Sequence, residues 1–252
     1  RADILQAVNR AIREGKTTLT ERDINDRLTY LRNLEDKKEQ VLKSIEEQGQ
    51  LTEELKEKIL AAQTLVVVED LYRPYRPKRK TRAPVAKEKG LEPLARTIAE
   101  QKINTSIEEE AAKYIDEEKG VADAKEALQG AKDILAEEIS DEADYRIYIR
   151  NITMEEGTIT STAKDEKTES VYEMYYAYEE PVKKAAGHRI LALNRGENEK
   201  ILTVKIQAPE ERILRYLETK VIVKDNPHTN DALKATVEDS YRRLIAPAID
   251  RE

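Results

Sequence analysis

The strongest constraint on how this chain folds is one stretch, residues 68–95, reading VEDLYRPYRPKRKTRAPVAKEKGLEPLA. It holds the only dense basic run of an otherwise acidic sequence: Arg73, Arg76, Lys78, Arg79, Lys80 and Arg82, with no acid among them. Pro74 and Pro77 fix φ inside the run and lack the N–H that a helix interior needs, so no continuous helix passes through it. Tyr72 and Tyr75 set flat rings among the cations. After Pro84 the pattern becomes helical, stops at Gly90 and restarts behind Leu91, with Pro93 suited to a first turn. The spacing predicts helical scaffold, cationic strap at 72–83, then helical scaffold again.

Charge balance limits what such a strap does. The net charge is −7, and taking away the six strap cations leaves −13 on the rest. A polyanion would therefore be met locally, on a surface whose overall field repels it. Hydrophobic residues make up 39% of 252, enough for one or two domains with real cores. No apolar run approaches the roughly 20 residues of a membrane span. Residues 1–15 mix charge and apolar side chains at helical spacing, unlike a signal peptide. A cytoplasmic protein with no membrane contact is the expectation. The absence of cysteine excludes disulfides and thiolate chemistry. Phe and Trp are absent too, which leaves the 12 Tyr to supply the aromatic part of any core.

Along the chain, Ile4, Leu5, Val8 and Ile12 share one helical face, closed by Gly15. A long amphipathic helix follows, carrying Ile24, Leu28, Leu31, Leu34, Val41, Leu42 and Ile45, capped by Thr20 or Thr18 and ended at Gly49. Thr52 is the N-cap of a helix expected to run to Thr64 and onward through Leu71. Ser106 and Glu109 have capping-box spacing for a helix reaching Gly120, and Gly130 marks close packing in the next one. Residues 144–152 fit either a helix or a strand, and 155–170 read as a hairpin or mobile loop. A helix from His188 to Asn194, a turn at Gly196 and a strand at 202–206 come next. Pro209 opens another helix, and Asn226-Pro227 breaks the chain before the last.

Motifs for chemistry are scarce. Phosphate-loop, dinucleotide, HExxH and G-x-S-x-G patterns are all missing, and the two histidines, His188 and His228, lack a nucleophile context. The acids Glu108, Glu109 and Glu110 read as a solvated helix face. No catalytic residue, metal site or cofactor is expected. Tyr172, Tyr175, Tyr176 and Tyr178 suit either a base-stacking platform or a tyrosine-built core, and the core is favoured. For the strap, arginine forks suit phosphate oxygens, and proline stiffening lowers the entropy lost on binding. The same cations could equally staple the strap to the protein's own acids.

Three separated blocks carry a family likeness: DRLTYLRNLEDKKEQVLKSIEEQGQLTEELKEKI, the strap with its flanks, and EEPVKKAAGHRILALNRGENEKIL. Together they resemble the N-terminal helical region of the Tex-like bacterial transcription accessory proteins, over roughly residues 20–252. The chain departs from the family before the long helix, where AVNRAIREGKTT stands in place of a PFIARYRKE-like segment. The resemblance implies a piece of a longer protein, without the RNase-H-like domain, the helix-hairpin-helix unit and the oligonucleotide-binding barrel. It also implies work on DNA or RNA.

The expectation is a mainly α fold, one or more multi-helix bundles with a long amphipathic helix and a small β element around 157–206. It divides into a helical domain at 1–145 and a second helical region at 146–252. The function expected is a non-enzymatic scaffold contacting nucleic-acid phosphates, without base specificity, through Arg73, Arg76, Lys78, Arg79, Lys80 and Arg82. The alternatives are a helical adaptor for a partner such as a polymerase or the ribosome, or a structural or designed helical fragment without activity of its own.

Overall fold

A computed structural model describes residues 2–15, 18–78 and 80–252. The chain divides into two compact units, residues 1–76 and 77–252. The division therefore falls inside the basic strap. The boundary expected at 145/146 lies within a helix of the second unit.

The described residues of the first unit form four helices, α1 (Ala2–Arg13), α2 (Glu21–Glu47), α3 (Glu53–Ala61) and α4 (Leu65–Tyr72). Thr20 caps α2 through a full capping box with Asp23, each side chain bonding the other's backbone N–H at 3.0–3.1 Å. The α3–α4 region is two helices rather than one. Thr64 turns extended, and its hydroxyl accepts from Val67 N–H at 3.3 Å, so the Leu-Val-Val-Val run at 65–68 starts a new helix. Leu34, Val41, Ile45, Ile59, Ala62 and Val68 form the core of this unit.

The second unit begins with α5 (Arg82–Glu88), α6 (Glu92–Glu100) and α7 (Ile107–Ala112), all packed on α8 (Ala124–Asp141). Helix α7 stops at Ala112, short of Gly120. Asp116 and Val121 pair through both backbone hydrogen bonds, and Gly120 (φ 81°) closes that tight turn instead of a helix. Gly130 sits where an added Cβ would lie 2.3 Å from Leu91 Cδ1, so α8 and the α5–α6 corner meet closely there.

Residues 144–152 belong to α9 (Ala143–Glu156), which resolves that ambiguity as helix. Next come β1 (Thr158–Ala163), β2 (Ala177–Pro181), α10 (Gly187–Asn198) and β3 (Leu202–Gln207). The strands form an antiparallel sheet in the order β2-β1-β3, with Thr160 opposite Glu179 and Lys205. Helix α10 passes straight through Gly196, which is buried against Leu202 and Tyr172. The left-handed turn is made by Lys200 (φ 61°) instead.

Helices α11 (Glu210–Val221), α12 (Asn230–Asp239) and α13 (Ala246–Arg251) complete the unit. Residues 240–245, between the last two, are π-helical, and Ala246 N–H reaches back five residues to Tyr241 O. Pro247 accounts for this widening, because its ring would clash with the carbonyl four residues earlier in a regular helix. Buried Gln101 (φ 56°) joins distant loops. Its side chain donates to Val221 O and accepts from Lys224 N–H, and Asn226 Nδ2 donates to Gln101 O and Ile103 O at 3.0 Å. Mainly α architecture with one small sheet is what the periodicity implied.

Candidate nucleic-acid interface

The six strap cations do not form one set. Helix α4 ends at Tyr72, and the chain folds into a turn in which Tyr75 and Arg76 both donate N–H bonds to Tyr72 O. Arg73 and Arg76 therefore belong to the first unit. Arg76 lies 3.4 Å from Glu69, whose carboxylate is held more closely by Lys37 at 2.6 Å. The Arg73 Nε is buried and meets no acceptor. Arg79 lies outside the described residues.

Lys78 opens the second unit and is spent on the protein itself. Its ammonium bridges Glu137 at 2.6 Å and Asp141, two acids one turn apart near the end of α8. Partial burial alone would lower the Lys78 pKa. Hydrogen bonds to Asp141 and Glu137, with the charge of both, outweigh this and hold it above the ordinary lysine value. With Lys78 31% exposed and the acids 17% and 13%, this is a half-buried staple rather than a surface pair.

Lys80 and Arg82 behave differently. Arg82 is the first residue of α5, and the N-cap residue Thr81 makes no cap bond, its hydroxyl turning toward Glu137 at 3.5 Å. Together with Lys89 they line a groove of about 510 Å³ between α5 and α8, floored by Val85, Ala86 and Leu91. Two acids also line it, but both are committed. Asp133 accepts from Gln129 at 2.9 Å and faces Arg243 at 3.9 Å, and Glu126 accepts from Ala122 N–H at 2.9 Å. Among the described residues, Lys80, Arg82 and Lys89 have no acid within ion-pair distance. Free cations along an open groove can take phosphate oxygens without first breaking an internal pair. Lys89 was missed in the sequence, although it stands seven residues after Arg82, on the same helix face.

The tyrosine cluster is core. Tyr172 and Tyr175 are buried, Tyr172 donates to Glu199 at 2.9 Å, and Tyr175 meets Tyr178 edge to face. Among the described residues no group of three or more acids or histidines is placed to hold a metal, and no helix is long and apolar enough to cross a membrane.

Fold and groove define a mainly α protein with a small antiparallel sheet and a basic groove between two helices. Residues 102–252 match the model of the Tex central region-like family, and the chain belongs to that family. An uncharacterized protein of Bacillus subtilis (strain 168), YdcI, is 50% identical over 232 residues, covering 91% of this chain and 32% of its own length. The transcriptional accessory protein Tex of Neisseria gonorrhoeae is 38% identical over 239 residues, covering 92% and 31%. The human S1 RNA-binding domain-containing protein 1 is 27% identical over 247 residues, covering 92% and 24%. The chain thus spans about a third or less of the relatives it matches.

Proposed function

We propose that this chain is a non-enzymatic, nucleic-acid-associated scaffold of a transcription accessory factor, and that it contacts phosphates, without base specificity, at Lys80 and Arg82. One observation carries the reading. Of the strap cations, Arg76 and Lys78 are drawn to acids of the chain, while Lys80 and Arg82 face an open groove and have no acid partner among the described residues. The names of the relatives support the class of work: one is a transcriptional accessory protein, another an S1 RNA-binding domain-containing protein. DNA and RNA both satisfy a contact made to phosphates alone.

A protein adaptor for a polymerase or ribosomal partner is the second reading. It is favoured by the exposure of three large apolar side chains in the sheet region, Val171, Met174 and Leu191, at 85%, 71% and 71%. Fluorescence anisotropy of a labelled oligonucleotide at low salt separates the two. Lys80→Gln/Arg82→Gln should weaken binding at least tenfold, whereas Lys78→Met, at a temperature where it is folded, should leave it nearly unchanged. Absence of binding by the wild type at low salt would remove the phosphate reading and leave the adaptor.

A further inference from the structure

Two of the exposed apolar side chains of the sheet region, Val171 and Met174, share one turn. Between β1 and β2 the chain makes a single 3₁₀ turn, Glu173–Tyr175. In it Tyr175 N–H bonds to Tyr172 O at 2.8 Å and Tyr176 N–H to Glu173 O at 3.1 Å. Side chains three apart lie on one edge of such a turn. Tyr172 and Tyr175 take the inner edge, 4% and 5% exposed, while Val171 and Met174 take the outer one, 85% and 71% exposed. Anchoring the tyrosines inward therefore aims the aliphatic pair outward.

The turn is braced from several directions. Tyr172 donates its hydroxyl to Glu199 at 2.9 Å, just past the end of α10, and its ring lies against Gly196. Tyr172 N–H donates to Ser170 Oγ at 3.1 Å. The Ser170 and Tyr176 hydroxyls lie 2.8 Å apart, and Tyr176 spends its proton on Thr168 O, so Ser170 is the donor between them. Tyr175 meets Tyr178 of β2 edge to face at 5.2 Å. A lone exposed aliphatic side chain is ordinary, whereas two on one braced edge make a ridge. Held on fixed backbone, such a ridge loses little entropy when a partner covers it.

The charge around the ridge selects what covers it. Asp165, Glu166, Glu169 and Glu173 are exposed on the same segment, against only Lys164 and Lys167. Among the described residues none of the four acids is in an ion pair, and Glu169 and Glu173 each stand two positions from Val171. Specific interfaces set an apolar centre inside a polar rim of this kind. We propose that Val171 and Met174 form a docking ridge for a basic amphipathic helix of a partner protein. Its apolar face covers the two side chains, and its lysines or arginines meet Glu169 and Glu173. The same acids repel a nucleic-acid backbone, so ridge and α5–α8 groove suit different ligands. The ridge rests on the adaptor reading above, to which it gives a partner chemistry, and does not depend on the groove.

The test is fluorescence anisotropy, at physiological salt, of a labelled amphipathic helix of leucine and lysine about five turns long. A leucine–glutamate helix of the same pattern runs beside it. Both are titrated with wild type, Val171→Ser/Met174→Ser, Glu169→Gln/Glu173→Gln, Leu191→Ser and a charge-matched control, Glu108→Gln/Glu109→Gln. The wild type should bind the leucine–lysine helix and not the leucine–glutamate one. Val171→Ser/Met174→Ser should weaken binding by about tenfold or more, and Glu169→Gln/Glu173→Gln by about threefold, with the control within about twofold of wild type. Melts without peptide should coincide, because every replaced side chain is exposed. Equal affinities of wild type and Val171→Ser/Met174→Ser overturn the ridge. If binding persists in that variant but is lost in Leu191→Ser, the adaptor reading survives on α10 without the ridge. Absence of binding by the wild type ends both.

Discussion

Replacing Lys78 by Met should destabilise the second unit by about 2 kcal/mol, between the roughly 0–1 kcal/mol of an exposed pair and the 3–5 kcal/mol of breaking a buried one. The geometry sets that middle value. The ammonium is about one-third exposed, and the two acids it bridges are nearly covered. Met keeps most of the aliphatic stem, so the packing loss is small. What remains is Glu137 four residues before Asp141 along α8, a like-charge pair that no longer has the Lys78 ammonium between its carboxylates. For a unit of this size each kcal/mol moves Tm by about 2–4 °C, so a fall of about 4–8 °C is expected at pH 7. Circular dichroism melts and urea titrations measure it. Neutralising the acids as well, in Lys78→Met/Glu137→Gln/Asp141→Asn, should recover most of the loss. The Lys78 pKa is raised on folding, so its contribution is complete below the ordinary lysine value near 10.4 and is lost as pH rises through the higher folded one. A Tm within about 1 °C of wild type would refute the staple, since it would mean the pair stores almost no free energy.

Gly196→Ala should cost about 1–3 kcal/mol by overpacking, because its Cβ would lie 2.5 Å from Leu202 Cδ1 and 3.2 Å from Tyr172, both buried; a shifted urea midpoint with unchanged slope checks it. Asn226→Ala should cost about 1–3 kcal/mol, since the Gln101 and Ile103 carbonyls each lose a donor; the same titration measures it. Burial pushes the Tyr241 hydroxyl up to about 12, so its neutral form stabilises the fold below the ordinary tyrosine value near 10, and that contribution is lost as pH rises from about 10 to about 12. Tyr241→Phe should therefore flatten the alkaline stability profile over that window, and an unchanged profile would show that Tyr241 is not the group responsible.

Much of the fold could be read because it rests on local rules. The caps at Thr20, Thr52 and Ser106, the stops at Gly49 and Gly90, and Pro93 in a first turn all follow from backbone chemistry within a few residues. One misreading came from packing against residues brought in by the fold, and another from a side chain that shapes its own turn. Gly196 reads as a turn but is a packing glycine, because Leu202 and Tyr172 occupy the space a side chain would fill. Gly120 reads as a helix end but closes a turn shaped by Asp116, four residues earlier.

The strap was legible as a feature but not as a set of roles. Its six cations look equivalent in the sequence, and the positions of Glu69, Glu137 and Asp141 are what separate Arg76 and Lys78 from Lys80 and Arg82. Glu137 and Asp141 lie about 60 residues downstream on α8, at a separation no local pattern encodes.

The most direct measurement of the central claim is the salt dependence of duplex oligonucleotide binding by wild type and by Lys80→Gln/Arg82→Gln. If both cations meet phosphates, the log–log slope of the variant should be shallower than that of the wild type by about 1.8, with weaker binding at every salt concentration. Parallel slopes, or equal affinities at low salt, would show that Lys80 and Arg82 do not contact phosphate and would contradict the account.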